Sequence, residues 1–181
     1  YRDPGLAYLY AIRKALVDEA VTVEGGVDPR PPRDSAAQLD TLFVMKSPPL
    51  REILPALEKP SQNQIAEILF KTLGLERTGV GTADSGRAVI ERQLIGWGIA
   101  PTSFAVRDGS GLSRHDYIAP DAIVRVLDAM RKSPSFALFR DALPLAGVDG
   151  TIASRMRGTA AAGNVHAKTG FVDKARSLSG Y

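Results

Sequence analysis

Cysteine is absent from the 181 residues, which excludes a disulfide framework and any thiolate metal site without deciding the compartment. Histidine is scarce too. His115 and His166 are far apart and form no H-E-x-x-H pattern, so no metal site and no cofactor are expected. No apolar run approaches the roughly 18 residues of a membrane span. No signal-peptide pattern is visible, and the first residue is Tyr1 rather than methionine, so the chain reads as processed or partial. Charge of one sign is not concentrated anywhere: 23 basic and 20 acidic residues are scattered along the chain, and the net +3 marks no nucleic-acid or membrane surface. With 44% hydrophobic and 24% charged residues, what remains fits one globular domain with a core of its own.

The apolar spacing organises that domain. Leu6, Leu9, Tyr10, Leu16 and Val17 keep a helical rhythm behind Pro4, and Val21 to Val23 reads as a short strand. Glycine, proline and charge between Gly25 and Ser35, with Pro29, Pro31 and Pro32, give a loop. Leu42 to Met45 reads as a strand. Pro48 and Pro49 restart the chain into a helix with Leu50, Ile53, Leu54 and Leu57 on one face. From Asn63, a core-packed helix places Ile65, Ile68, Leu69 and Leu73 together and ends at Gly74. Further helices are expected over 86–97 and from Pro120 through Met130. A glycine-rich turn, Asp108-Gly109-Ser110-Gly111, lies between them. The tail, 164–170 and 176–181, reads as two short strands joined tightly at Asp173-Lys174.

Three stretches can carry chemistry, and each has a plainer reading. Ser61-Gln62-Asn63-Gln64 satisfies a capping box, with Ser61 as N-cap and Gln64 reaching back to it. Lys168-Thr169-Gly170 suits any exposed strand end, and Asp108 to Gly111 is a turn on either view. Their order adds information: S-x-N opening a helix, followed about a hundred residues later by K-T-G on a strand, is the layout of penicillin-recognising serine enzymes.

The flanking text carries the likeness further. Ser47-Pro48-Pro49-Leu50, Ser61 to Leu69, Asp108 to Arg114, Leu143 to Thr151, His166 to Gly170 and Ser177 to Tyr181 succeed one another as in the class C, low-molecular-mass D-alanyl-D-alanine carboxypeptidases. The chain resembles that family over most of its length. The resemblance implies an α+β penicillin-binding transpeptidase fold, shared with serine β-lactamases, with 1–181 as the C-terminal part of the catalytic domain. It also implies hydrolysis of the terminal D-alanyl-D-alanine bond, or of peptide cross-links, through a serine acyl-enzyme. Peptidoglycan stem peptides would be the substrates and β-lactam antibiotics covalent inhibitors, outside the cytoplasm. Carried over residue by residue, Ser61 joins a proton-shuttle network serving the leaving amine, and Asn63 holds the substrate amide. Lys168 supplies a fixed positive charge that favours the D-alanine carboxylate and tunes neighbouring proton carriers, and Thr169 offers a hydroxyl to the same carboxylate. Gly170 leaves room beside the strand, and the Phe171 N–H is the second oxyanion-hole donor.

The family's S-x-x-K nucleophile motif is missing, because no serine in the chain has lysine three positions on. The nucleophile is therefore expected outside these residues. Two positions depart from the pattern: Gln62 replaces the aspartate of S-D-N, and Phe171 stands where the family commonly has a hydroxyl residue, which removes one hydrogen bond to the carboxylate. A β-lactamase or esterase on the same fold, and a non-catalytic wall-binding homologue, are the alternative readings.

Overall fold

In the computed structural model the described residues are 3–28, 44–173 and 175–181. The chain divides into two units, Tyr1–Lys46 and Ser47–Tyr181. In the first, helix α1 (Pro4–Asp18) starts as the sequence predicts, with Pro4 at its first turn and the Asp3 carboxylate accepting from Leu6 N–H at 2.9 Å. The strand expected at Val21–Val23 does not form: the backbone there is irregular and has no strand partner among the described residues, without which a β segment cannot satisfy its polar groups. Val44 and Met45 are also irregular. Leu42, Phe43 and most of the Gly25–Ser35 loop lie outside the described residues.

Among the described residues the second unit holds α2 (Leu50–Glu58), α3 (Asn63–Thr78), α4 (Ala83–Gly96), β1 (Phe104–Ala105), β2 (Tyr117–Ile118), α5 (Pro120–Arg131), α6 (Phe136–Ala142), β3 (Ala167–Val172) and β4 (Ala175–Gly180), with short 3-10 turns at Pro101–Ser103 and Gly150–Ile152. The strands form two antiparallel pairs, β1 with β2 and β3 with β4. This mixed helix and antiparallel-sheet architecture is the expected α+β class.

Helix α3 outruns its expected end. Gly74 is not its terminus but a buried contact with α4, where an added Cβ would strike Ser85 Oγ and lie 2.7 Å from Gly86 N. The stop comes at Gly79, in the left-handed conformation (φ 76°) that glycine adopts without a steric cost. Its buried side is consequently Phe70 and Gly74, whereas Ile68 and Leu73 are exposed on this chain. The small-residue side allows the backbones of α3 and α4 to approach closely, and that approach outweighs the apolar periodicity. Thr82 and Ser85 form a capping box that starts α4 earlier than its apolar rhythm suggests.

Two clusters centre the packing. Leu94, Ile99, Phe104 and Ala122 join α4, β1 and α5. Ala146 and Ile152 pack with Ala167, the first residue of β3. The chain's last residue is anchored as well: the Tyr181 hydroxyl donates to Leu127 O at 2.5 Å, and its ring meets Phe136 edge-on at 5.0 Å.

Candidate active site

Ser61 reaches the site through the way α2 ends. The Gln62 N–H donates to Leu57 O at 2.9 Å, closing a six-residue helix stop, and Ser61 occupies its left-handed position with φ 60°. Glycine or asparagine usually fills that position, and serine there costs about 1 to 2 kcal/mol. The capping box is therefore rejected: the N-cap of α3 is Gln62, with no side-chain cap, and Ser61 Oγ faces elsewhere. It accepts from Lys168 Nζ at 2.8 Å, across 107 residues of sequence. Asn63, the first residue of α3, lines the same pocket as Ser61.

Strand β3 brings the other half. His166 and Tyr181 exchange both backbone hydrogen bonds at 2.9 Å. Such pairs alternate with unbonded ones along an antiparallel ladder. Given the register Ala167 with Gly180 through Val172 with Ala175, Ala167, Thr169 and Phe171 turn their N–H groups away from β4. The Ala167 N–H meets Pro144 O at 2.9 Å. Those of Thr169 and Phe171 point to the edge along which Ser61 lies, and Lys168 Nζ bonds Thr169 O there at 2.9 Å.

The opposite lip is the glycine turn. Glu67 Oε1 on α3 accepts from Gly109 N–H (3.1 Å) and Ser110 N–H (3.0 Å). Asp108 accepts from Gly111 N–H (2.6 Å) and Ser113 N–H (2.8 Å). A Cβ at Gly109 would lie 2.6 Å from Ala66 O, so only glycine permits this seat on α3. The result is a cleft of about 520 Å³ lined by all six expected site residues, Ser61, Asn63, Lys168, Thr169, Gly170 and Phe171, together with Gln62. A larger groove of about 700 Å³ runs past β1, β2 and the β3–β4 hairpin but touches neither Ser61 nor Lys168.

Two expectations change in detail. An added Cβ at Gly170 would strike Ser177 Oγ, its cross-strand partner, so the immediate obstacle to a side chain is β4. The Phe171 ring is largely exposed and carries the Arg176 guanidinium 5.1 Å from its centroid.

Further residues line or brace the cleft. Glu58, the last residue of α2, lines the cleft with Ser61 and Lys168. Burial pushes its carboxyl above the usual range while the Lys168 charge pulls it back. Burial likewise pushes the Lys168 amine below its usual range, with Glu58 opposing. Lys59 Nζ pairs with Asp149 Oδ2 at 2.6 Å and reaches Leu143 O at 3.3 Å. Thr151 Oγ1 shares a hydrogen bond of 2.8 Å with Thr169 Oγ1. Asp149 and Thr151 stand in the Leu143 to Thr151 text that carries the resemblance, which was the available signal. Glu58 and Lys59 look like an ordinary helix end.

The chain has relatives of known family. The model of the D-Ala-D-Ala carboxypeptidase 3 (S13) family matches residues 1–181. A D-alanyl-D-alanine carboxypeptidase from Actinomadura sp. (strain R39) is 37% identical over 99% of this chain and 34% of its own length. A second from Haemophilus influenzae is 33% identical over 75% of this chain and 29% of its own length. The crystal structure of penicillin binding protein 4 from Haemophilus influenzae, complexed with a β-lactam, superposes with a TM-score of 0.80 at 30% identity, covering 94% of this chain and 40% of that one. The chain thus spans about a third of the length of the curated relatives it matches. With a family model that matches all 181 residues and a fold shared with a penicillin-binding protein, the chain belongs to the D-Ala-D-Ala carboxypeptidase 3 (S13) family.

Proposed function

We propose that in the whole protein these residues form one wall of the active site of a serine-type D-alanyl-D-alanine carboxypeptidase or endopeptidase acting on peptidoglycan stem peptides. The observation that carries the reading is the 2.8 Å bond from Lys168 Nζ to Ser61 Oγ, which joins K-T-G and S-x-N at the open edge of β3. A serine of an S-x-x-K segment outside the chain attacks the carbonyl of the penultimate D-alanine. The Phe171 N–H and the nucleophile's own N–H receive the oxyanion, Asn63 holds the substrate amide, and Thr169 faces the terminal carboxylate. Ser61, bonded to Lys168, passes a proton to the leaving amine. D-alanine departs, and water hydrolyses the acyl-enzyme. A β-lactam would acylate the same serine. The wall substrate places the enzyme outside the cytoplasm; among the described residues no helix is long and apolar enough to cross a membrane.

The test is to expose the full-length protein to a fluorescent penicillin and to a peptide ending in D-alanyl-D-alanine. Covalent labelling with release of D-alanine is expected, and no labelling from the 181-residue chain alone. Rapid turnover of the penicillin without D-alanine release would favour the β-lactamase reading. No adduct and no release would favour the non-catalytic one.

A further inference from the structure

Phe171 removes a hydroxyl from the place where the proposed reaction needs to hold a carboxylate, and the structure puts something else there. Thr169 and Phe171 alternate onto one face of β3, away from Lys168 and Gly170. That face opens into a hollow bounded by Thr151, Arg155, Thr169, Phe171 and Arg176, which shares Thr151, Thr169, Gly170 and Phe171 with the cleft. Of the described residues that line it, two carry guanidinium groups and none a carboxylate. Among the described residues neither Arg155 nor Arg176 is in an ion pair, unlike Arg114, Arg131 and Arg140.

We propose that Arg176, supported by Arg155, is the specificity-determining anchor for the terminal carboxylate of the substrate, in place of a hydroxyl at position 171. This rests on the peptidase reading above. Phe171 and Arg176 are register partners on β3 and β4, so their side chains emerge together. The ring gives the guanidinium a shelf, with the cation 5.1 Å from the centroid, and lessens the freedom a long exposed arginine would lose on binding. Arginine suits the task because its planar fork meets both carboxylate oxygens at once. Beside it, the bond between Thr151 Oγ1 and Thr169 Oγ1 uses one hydroxyl proton and leaves the other free for the ligand. Lys168 is committed differently: its ammonium donates to Ser61 Oγ and Thr169 O, with Glu58 as a nearby negative charge. The two cationic groups thereby divide the work, with Lys168 on the proton network and Arg176 on the anionic end of the substrate.

The experiment uses the full-length protein, unmodified and as Arg176→Ala, with two acyl donors. One is a peptide ending in D-alanyl-D-alanine. The other is a peptidyl-D-alanine benzyl thioester, which acylates the same serine but has no carboxylate on its leaving group. Arg176→Ala is expected to lower kcat/KM for the free-acid peptide by about tenfold, the value of a hydrogen bond to a charged group. The thioester should stay within twofold. Added salt should slow the unmodified protein on the free acid more than it slows the variant. Introducing Phe171→Thr into the Arg176→Ala protein should recover at least threefold on the free acid alone. Equal losses on both donors, an unchanged free-acid rate, or no recovery would each overturn the assignment. Should the unmodified protein process neither donor, the peptidase reading itself fails and takes this inference with it.

Discussion

Lys59 and Asp149 are joined by a 2.6 Å ion pair that fastens the turn carrying Ser61 to the loop running beside β3. The same carboxylate accepts from Leu145 N–H at 2.8 Å, and Thr151 N–H donates back to Lys59 O at 3.1 Å. Gly150, at φ 59°, permits this approach, since a Cβ there would lie 2.8 Å from Lys59 O. The fastener is half-buried and bridges two segments that reach the cleft from distant parts of the sequence. Asp149→Ala removes the carboxylate from both partners, and a loss of about 2 to 3 kcal/mol in stability is expected. Asp149→Asn keeps an acceptor for Leu145 and should lose about 1 kcal/mol. Denaturant titration of the full-length protein measures both.

The same carboxylate has a defined pH signature. Burial raises its pKa, but the Lys59 bond, the Leu145 N–H and the charges of Lys59 and His166 outweigh burial and hold it below the usual range. A depressed carboxyl contributes stability that is complete above the unfolded value, near 3.9, and is lost as pH falls through the lower folded value. Asp149→Asn should therefore cost stability at neutral pH and nothing once the pH is below both values. An Asp149→Asn deficit of the same size in strong acid would contradict this account.

Glu58 and Lys168 give a second pH prediction, read in catalysis. Glu58 opposes the burial that pushes the Lys168 amine down, so Glu58→Gln should let it fall further. If Lys168 acts as an ammonium, the alkaline limb of penicillin acylation in the full-length protein shifts to lower pH in Glu58→Gln. Protonation of Glu58 itself begins at a higher pH than for an ordinary glutamate, because burial raises it. The variant should therefore also lose any acid limb due to this residue. Superimposable profiles would remove Glu58 from the site.

How much of this was legible beforehand follows from which interactions are local. Pro4, Pro49 and Pro120 mark helix starts through their fixed φ, and the antiparallel pairing of β3 with β4 follows from the two short runs of the tail, whose connection at Lys174 lies outside the described residues. Motif order brought all six site residues to one cleft. The remaining features are non-local. Helix α3 runs past Gly74 because that glycine is needed for contact with α4, a partner that periodicity does not reveal. Ser61 looked like a cap because S-x-x-Q is a local pattern, whereas its conformation is imposed by the end of α2. Glu58, Lys59 and Arg176 acquire meaning only when β3 and its neighbouring loop are set against α2.

Lys168→Gln in the full-length protein should reduce acylation by about a hundredfold or more, the scale of losing one preorganised charged donor. Gln retains a donor for Ser61 Oγ but no charge, and the partly buried site loses a cation whose desolvation it had been opposing. The fold should therefore survive, as circular dichroism can confirm. A normal acylation rate in a folded variant would remove Lys168 from the mechanism.

Ser61 allows stability and activity to be separated at a single atom. Its backbone is left-handed, with φ 60°, which disfavours any residue carrying a Cβ, while its Oγ accepts from Lys168. Ser61→Gly relieves the backbone and removes the oxygen; Ser61→Ala removes the oxygen and retains the Cβ. Relief of a left-handed residue is worth about 1 to 2 kcal/mol, less up to about 1 kcal/mol for the greater freedom glycine has in the unfolded chain. The oxygen lost by both variants leaves a Lys168 donor without that partner, at a cost common to the two. Ser61→Gly should consequently be the more stable variant by about 1 kcal/mol. If Ser61 belongs to the proton network, both should lose D-alanine release to a similar extent, by a factor on the order of 10² to 10⁴. Thermal unfolding and turnover of the two full-length variants, side by side, check both halves. A more stable Ser61→Gly with full activity would keep the strain and reject the proton role. Equal stabilities would show that the turn relaxes when the side chain is shortened, and that the left-handed conformation of Ser61 is held by its bond to Lys168 and not by the end of α2.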